Sequence, residues 1–406
     1  MPIKPPAREY TAQAAIVSVA TAARRERGLL LSRPWDLALI TWVPALACLL
    51  LWWIFSAGLP TRLPIGLLDD DHSALSRQLT RFLEASPGLS VAVRYADAAQ
   101  AERGLRSAEV YAVVRIPGDF ARTIKQGRAA QVTLLHNAQL GTHSGLIQRD
   151  VRTVVGTLSA GIEMAARNKR GEPAQTVRVS MEPVRTGMVT LFNASLDYEQ
   201  FLAAALLPAL LHIAAMTAGA WGVGRELRDR SVDQWLGSHP DFLQVLAGLA
   251  GKLLWPWLGL GLVATAALVG ITWGRGWHPA GSVAWTCLAL WVFLALSLGM
   301  GALAAGATRS LRTALSATGF ITAPAFAFGG VGFPIQSMPW GAQLWAQALP
   351  FTHYIRLQME QLQMGAPLAV SLATPLWMFV AAMVLLLGSA AALRRAAVQP
   401  ASWGKR

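Results

Sequence analysis

The chain has 406 residues, 54% of them hydrophobic and only 14% charged, where an ordinary soluble domain carries about 25% charged residues. That shortfall excludes a wholly soluble protein: 36–56 and 201–393 are mostly apolar, while 60–199 has the composition of a water-facing domain. The formal net charge of +13 gathers in the flanks of the apolar runs and forms no basic stripe interleaved with aromatics, so it points to a membrane face and away from nucleic acid.

Residues 1–35 are mixed and basic, with Arg24, Arg25, Arg27 and Arg33 just ahead of the first apolar run, 37–56. That run is too long and too far along for the core of a cleavable signal and reads as a retained anchor. Residues 1–35 are therefore expected in the cytoplasm and 36–57 as the first transmembrane helix.

Strand-like and helix-like pieces alternate from 58 to 199. Strands are expected at 63–68, 89–95, 110–116 and 131–136, and helices at 73–85, 97–107, 119–126 and 139–168, with a polar looped or extended stretch after Asn168. Asp69, Asp70 and Asp71 precede the first of these helices and are expected to cap it. The β-α-β-α order predicts a small α/β domain.

Five more apolar stretches are long enough to cross a core of about 30 Å at 1.5 Å per residue. They are 201–224, interrupted by His212; 253–274, behind Lys252; 281–308; 313–333, rich in Gly and Ala; and 368–393, closed by Arg394 and Arg395. The short flanks on one side of these six spans hold fifteen Lys and Arg against two on the other. That asymmetry predicts cytoplasmic termini and puts 58–199 outside the cytoplasm. Lys252 is expected to snorkel to the cytoplasmic interface.

Motifs for chemistry are missing. No G-x-x-x-x-G-K-[ST], H-E-x-x-H or Cys/His cluster occurs, so neither a nucleotide-binding loop nor a zinc site is expected, and no catalytic residue is assigned. Cys48 and Cys287 both fall inside apolar runs, against a structural disulfide. His136 and His143 read as a strand end and a helix residue rather than a metal pair. His212, in mid-span, is open to two readings: a group on a translocation path, or a neutral imidazole bonded to a neighbouring helix.

Two segments carry more information. In 224–240, Val232, Trp235 and Leu236 recur at helical spacing among charges, which fits a short amphipathic helix or a solvated turn anchored by its Trp. Residues 328–355 hold no charge although the topology puts them on the outer side, and they are broken by Gly329, Gly330, Gly332, Pro334, Pro339 and Pro350. No straight helix accommodates these, so short re-entrant helices over a translocation path, or an interfacial hairpin anchored by Trp340 and Trp345, are expected.

At these two segments the chain resembles permeases of the type 2 exporter class of ABC transporters. Glu226, Ser231, Asp233, Leu236 and Pro240 fit the run of that class's coupling helix, with Arg230 where Gly is usual. Gly330, Phe333, Pro334, Met338, Pro339, Pro350, Thr352 and Ile355 fit its signature between the last two spans. The resemblance implies a six-helix transmembrane domain with an inserted extracytoplasmic α/β domain (58–199), a five-helix region (200–393) containing coupling helix 225–240 and external re-entrant segment 328–355, and a cytoplasmic tail (394–406). It implies ATPase coupling through Glu226, Ser231, Asp233, Trp235, Leu236 and Pro240, and an external gate at Gly330, Phe333, Pro334, Met338, Pro339, Pro350 and Thr352. It further implies a bacterial inner-membrane permease moving a drug, lipid or glycolipid outward. Its partners would be a cytoplasmic ATPase dimer carrying ATP and magnesium, a second identical or paralogous permease, and, as in a Gram-negative subgroup, a periplasmic adaptor and outer-membrane channel. No cofactor is expected on this chain. A competing reading is a non-transporting receptor or scaffold whose outer domain binds a partner; a membrane enzyme lacks any paired carboxylate or nucleophile–base set in the spans.

Overall fold

The computed structural model describes residues 7–137, 141–169, 197–237, 240–279, 281–399, 401 and 403–404. The chain divides into two compact units, one of Met1–Gly58 with Thr190–Arg406 and the other of Leu59–Val189. The first unit begins with three helices: α1 (Ala7–Ser32), α2 (Pro34–Ile40) and α3 (Trp42–Phe55). Helices α2 and α3 bend by 42° at Thr41. Pro44 explains the break, because it has no N–H to give and its ring crowds the carbonyl four residues back, that of Ile40. Helix α1 falls in the stretch read as a plain cytoplasmic segment.

The second unit holds β1 (Leu63–Asp69), α4 (Ala74–Glu84), β2 (Leu89–Arg94), α5 (Ala98–Arg106), β3 (Ala112–Ile116), α6 (Phe120–Lys125), β4 (Thr133–His136) and α7 (Gly141–Lys169). The strands form one sheet in the order β2-β1-β3-β4, parallel except for the β3–β4 pair. One face packs Ile65, Val114 and Ile116 against Leu79 and Leu83 of α4, Phe120 of α6 and Ile147 of α7. The other packs Leu68 and Val113 against Ala101 of α5. The cap of α4 is Ser73, whose hydroxyl accepts from the N–H groups of Leu75 and Ser76. Asp69 instead ties the preceding loop, accepting from the N–H groups of Asp71 (3.0 Å) and His72 (3.1 Å), and Asp71 accepts from the N–H of Ala121 in α6. The stretch expected to be looped or extended after Asn168 lies, from residue 170 to 196, outside the described residues.

The first unit resumes with one wide π-helical turn (Glu199–Ala203) leading into α8 (Ala204–Arg228). There follow α9 (Val232–Leu236), α10 (Phe242–Ile271), α11 (Val283–Thr308), α12 (Leu311–Thr322), α13 (Ala325–Phe328), α14 (Trp340–Ala348), α15 (Pro350–Gln358), α16 (Leu368–Ser371) and α17 (Ala373–Ala397). Among the described residues four helical stretches are long and apolar enough to cross a membrane: Glu199–Arg228, Phe242–Arg275, Val283–Thr308 and Leu368–Ala397. The bent α2–α3 pair makes a fifth if it is one span. The stretch expected as a span at 313–333 is not continuous. Helix α12 has 12 residues, about 18 Å of rise, and the chain breaks at Ala323–Pro324 before the four residues of α13.

Helices α8 and α11 approach backbone to backbone. A Cβ on Gly219 would run into the Leu298 carbonyl, and one on Gly301 into that of Met216. Small residues at such crossings let apolar helices gain close packing where the hydrophobic effect gives them little.

Candidate functional site

Gly251 of α10 has no side chain, so the Val19 carbonyl, Ala22 and Ala23 of α1 lie directly on its backbone. The Trp255 indole N–H donates to the Ala23 carbonyl at 2.9 Å. This packing brings Arg25 and Glu26 of α1 against the end of α8 and the flank of α10, where six charges meet. Arg25 makes a two-pronged pair with Glu226 (2.7 and 3.0 Å). Arg225 gives Nη2 alone to both oxygens of Glu26 (2.8 and 3.0 Å) and Nη1 to Asp36 of α2. The Lys252 ammonium joins Glu26 (2.6 Å) to Glu226 (2.7 Å), and the Trp221 N–H completes Asp36 at 2.8 Å.

Three cations thus face three carboxylates, and the cluster is neutral. Arg225, Glu226, Lys252 and Glu26 are each 2% exposed or less. Charges taken so far from water persist only where pairing and hydrogen bonds satisfy them. Lys252 therefore does not snorkel; two carboxylates give its ammonium a better site inside the bundle than the interface does.

The cluster anchors the segment singled out in the sequence. Helix α8 continues through Arg228, so Glu226 sits in its last turn and not on a separate helix. The Glu226 carboxylate accepts from the Ser231 hydroxyl, and the Glu226 carbonyl from the Ser231 N–H at 3.0 Å. Between them Arg230 turns the chain with φ of 55°, a left-handed conformation that glycine adopts freely. The five residues of α9 then present Val232 and Leu236 inward, both buried. Leu236 packs on Gly248 of α10, the Trp235 N–H donates to the Gly248 carbonyl at 3.3 Å, and Lys252 lies 4.6 Å above the Trp235 ring. Trp235 and Leu236 accordingly face the chain's own α10, while Asp233 and Gln234 are exposed. Pro240 is buried and leads into Asp241, which caps α10 with Gln244.

In the outer segment, Gly330 takes φ of 81° and Ile335 packs over it. Phe333 is half exposed, Pro334 and Pro339 are exposed, and Met338 is buried with its carbonyl accepting from Gln343 at 2.8 Å. Pro339 precedes α14 and Pro350 opens α15, each where a missing N–H costs nothing. Gly329 lets the Phe351 ring close on α13. Thr352 is buried, and its hydroxyl has no partner among the described residues. Beyond it, the Gln358 amide donates to the Ala204 carbonyl (2.6 Å) and Gln361 to Ser371 (3.0 Å), fastening α15 to α8 and α16.

His212 is fully buried on α8. Its Nδ1 lies 2.8 Å from the Ser297 hydroxyl of α11, and that hydroxyl donates its one proton to the Phe293 carbonyl at 2.7 Å. Ser297 therefore accepts, which puts the imidazole proton on Nδ1 and leaves Nε2 bare, with no partner among the described residues. The ring lies 5.1 Å from Phe293, which stacks on Tyr354 of α15 at 4.9 Å. In the second unit, His136 contacts Ser144 and Gln148, while His143 packs edge-on to Tyr111.

The charge cluster is the feature sequence reading missed. Glu26, Asp36 and Arg225 each stand at the edge of an apolar run, where charge is ordinary. The available signal was that Glu26, Asp36 and Glu226 interrupt flanks in which Lys and Arg predominate.

Residues 34–393 match the family model described as ABC-2 family transporter protein. The chain is similar to the probable multidrug ABC transporter permease YbhR of Escherichia coli strain K12, with 22% identity over 83% of this chain and 86% of the relative. The same figures hold for the protein of that name from Escherichia coli O157:H7. The match spans both apolar regions, which makes the protein a multi-pass membrane permease subunit of the kind that associates with an ATPase. The chain belongs to the ABC-2 family of transporter proteins.

Proposed function

We propose that the chain is the permease of an ATP-driven exporter that moves an amphipathic substrate, a drug, lipid or glycolipid, outward across a bacterial inner membrane. The bent α2–α3 pair and the broken α12–α13 pair serve as spans one and five, which with the four long helices gives six crossings and two cytoplasmic ends. The α/β unit then stands on the periplasmic side, where it suits an adaptor leading to an outer-membrane channel. A second permease completes the pathway. ATP and magnesium bind the ATPase pair.

The observation that carries this reading is the anchoring of α9. Glu226, Ser231, Trp235 and Leu236 fix the short helix to α8 and α10, so a push on its exposed Asp233 and Gln234 passes into two long helices at once. Segments 328–348 and α15 supply the outer gate. The relative's name, a probable multidrug permease, agrees with an amphipathic cargo.

The test is co-purification with the cognate cytoplasmic ATPase. Asp233→Arg with Gln234→Arg is expected to cut recovery of the complex about tenfold while the permease itself stays folded. Unchanged recovery and unchanged ATPase stimulation would remove α9 as the docking element.

A further inference from the structure

A groove of about 530 Å³ runs between α3, α8 and α10. Its walls include Ala45, Cys48 and Trp52 of α3, Leu207 of α8, and Ala266 and Gly270 of α10, and its lining is almost wholly apolar. Small residues create the space: a Cβ placed on Gly270 meets no atom within 4 Å. Along α10 the lining runs from Leu262 to Ile271. Ten residues at 1.5 Å each give about 15 Å, half of a hydrocarbon core of about 30 Å and so the depth of one leaflet.

One end of the groove is polar. Arg275 stands one turn beyond Ile271, with its guanidinium 5.5 Å over the ring of the wall residue Trp52. Its Nε pairs with Glu199 at 3.0 Å, and its Nη2 holds Glu199 and the Ser56 carbonyl. Nη1 is left with no protein partner among the described residues. Trp273, largely exposed, lies two residues before it, as expected of a side chain at the level of lipid headgroups.

We propose that this groove holds one acyl chain of a glycerophospholipid, whose phosphodiester accepts from Nη1 of Arg275. The occupant must be apolar, narrow, one leaflet long and able to accept a hydrogen bond at one end. Spread over about 15 Å, 530 Å³ leaves a cross-section of roughly 35 Å², too narrow for a helix of a second copy, about 10–12 Å across. Moving a chain from bulk lipid into the groove gains little from hydrophobicity, since both surroundings are apolar. Retention therefore rests on fit along the small-residue wall and on the headgroup contact.

Native mass spectrometry of the full chain, purified in mild detergent, tests the assignment. One retained phospholipid per chain is expected. Gly270→Phe and, independently, Ala266→Phe fill the groove without touching the Arg275 pair, and each is expected to lower occupancy at least fivefold. Gly319→Phe, at an equally open position on α12, is expected to leave it unchanged. Delipidated protein is expected to take up dioleoylphosphatidylglycerol at least fivefold more tightly than dioleoylglycerol, which lacks the phosphate. A spread of lipid adducts that ignores both groove-filling variants, or equal uptake of the two lipids, would overturn the proposal.

Discussion

Lys252→Met isolates the energetic role of the buried charge cluster. Methionine keeps the length and apolar stem of lysine but removes the ammonium that bridges Glu26 and Glu226. Each carboxylate keeps one arginine, Glu26 with Arg225 and Glu226 with Arg25, yet the cluster passes from neutral to one net negative charge, buried from water. Stripping one partner from a buried pair costs about 3–5 kcal/mol, and the surviving arginines hold the loss near 3 kcal/mol. At roughly 2–4 °C per kcal/mol for a unit of this size, the midpoint of thermal unfolding should fall by roughly 6–12 °C, read by fluorescence-detected size exclusion after heating in detergent. Adding Glu26→Gln restores neutrality and should recover at least half of the drop. A single variant within about 2 °C of the parent, or a double variant no better than the single, would refute the view that charge balance holds α1 to α8 and α10.

Arg230→Gly relieves a left-handed backbone and is expected to stabilise the first unit by about 1 kcal/mol, seen as a rise of a few degrees in the same assay; a fall would show that the Arg230 side chain outweighs its backbone cost. Ser297→Ala leaves both ring nitrogens of His212 without partners and is expected to cost about 1–3 kcal/mol, while adding His212→Phe, which suits the stack on Phe293, should restore the loss; an unshifted midpoint for the single variant would argue against the assigned bond.

The long spans were legible because apolar length converts directly into distance. Stretches drawn at 281–308 and 201–224 became Val283–Thr308 and Glu199–Arg228, the latter longer because Arg225 and Glu226 stay helical when paired. Short apolar runs likewise located β1 and β3, and alternation β2, to within a few positions. The run at 313–333 misled through composition: it carries no charge, but Pro324 and Gly329–Gly330 stop the helix that hydropathy alone would extend. Helix α1 has no clear amphipathic stripe to announce it. Its place is decided by contact with Gly251, a partner more than two hundred residues away. The charge cluster escaped notice for a similar reason, since each member is ordinary in its own flank and only the fold makes the six mutual. The apolar spacing of Val232, Trp235 and Leu236 did mark a helix. It could not tell an external partner from α10, which is where these side chains point.

The central claim is that α9 faces the compartment of the ATPase while the α/β unit faces the opposite one. Single cysteines at Asp233 and at Lys125, introduced into a chain whose native Cys48 and Cys287 are replaced by alanine, can be probed with a membrane-impermeant maleimide. In intact spheroplasts Lys125→Cys should label at once, and Asp233→Cys only after the membrane is permeabilised. Labelling of Asp233→Cys from outside, with Lys125→Cys protected, would contradict the account.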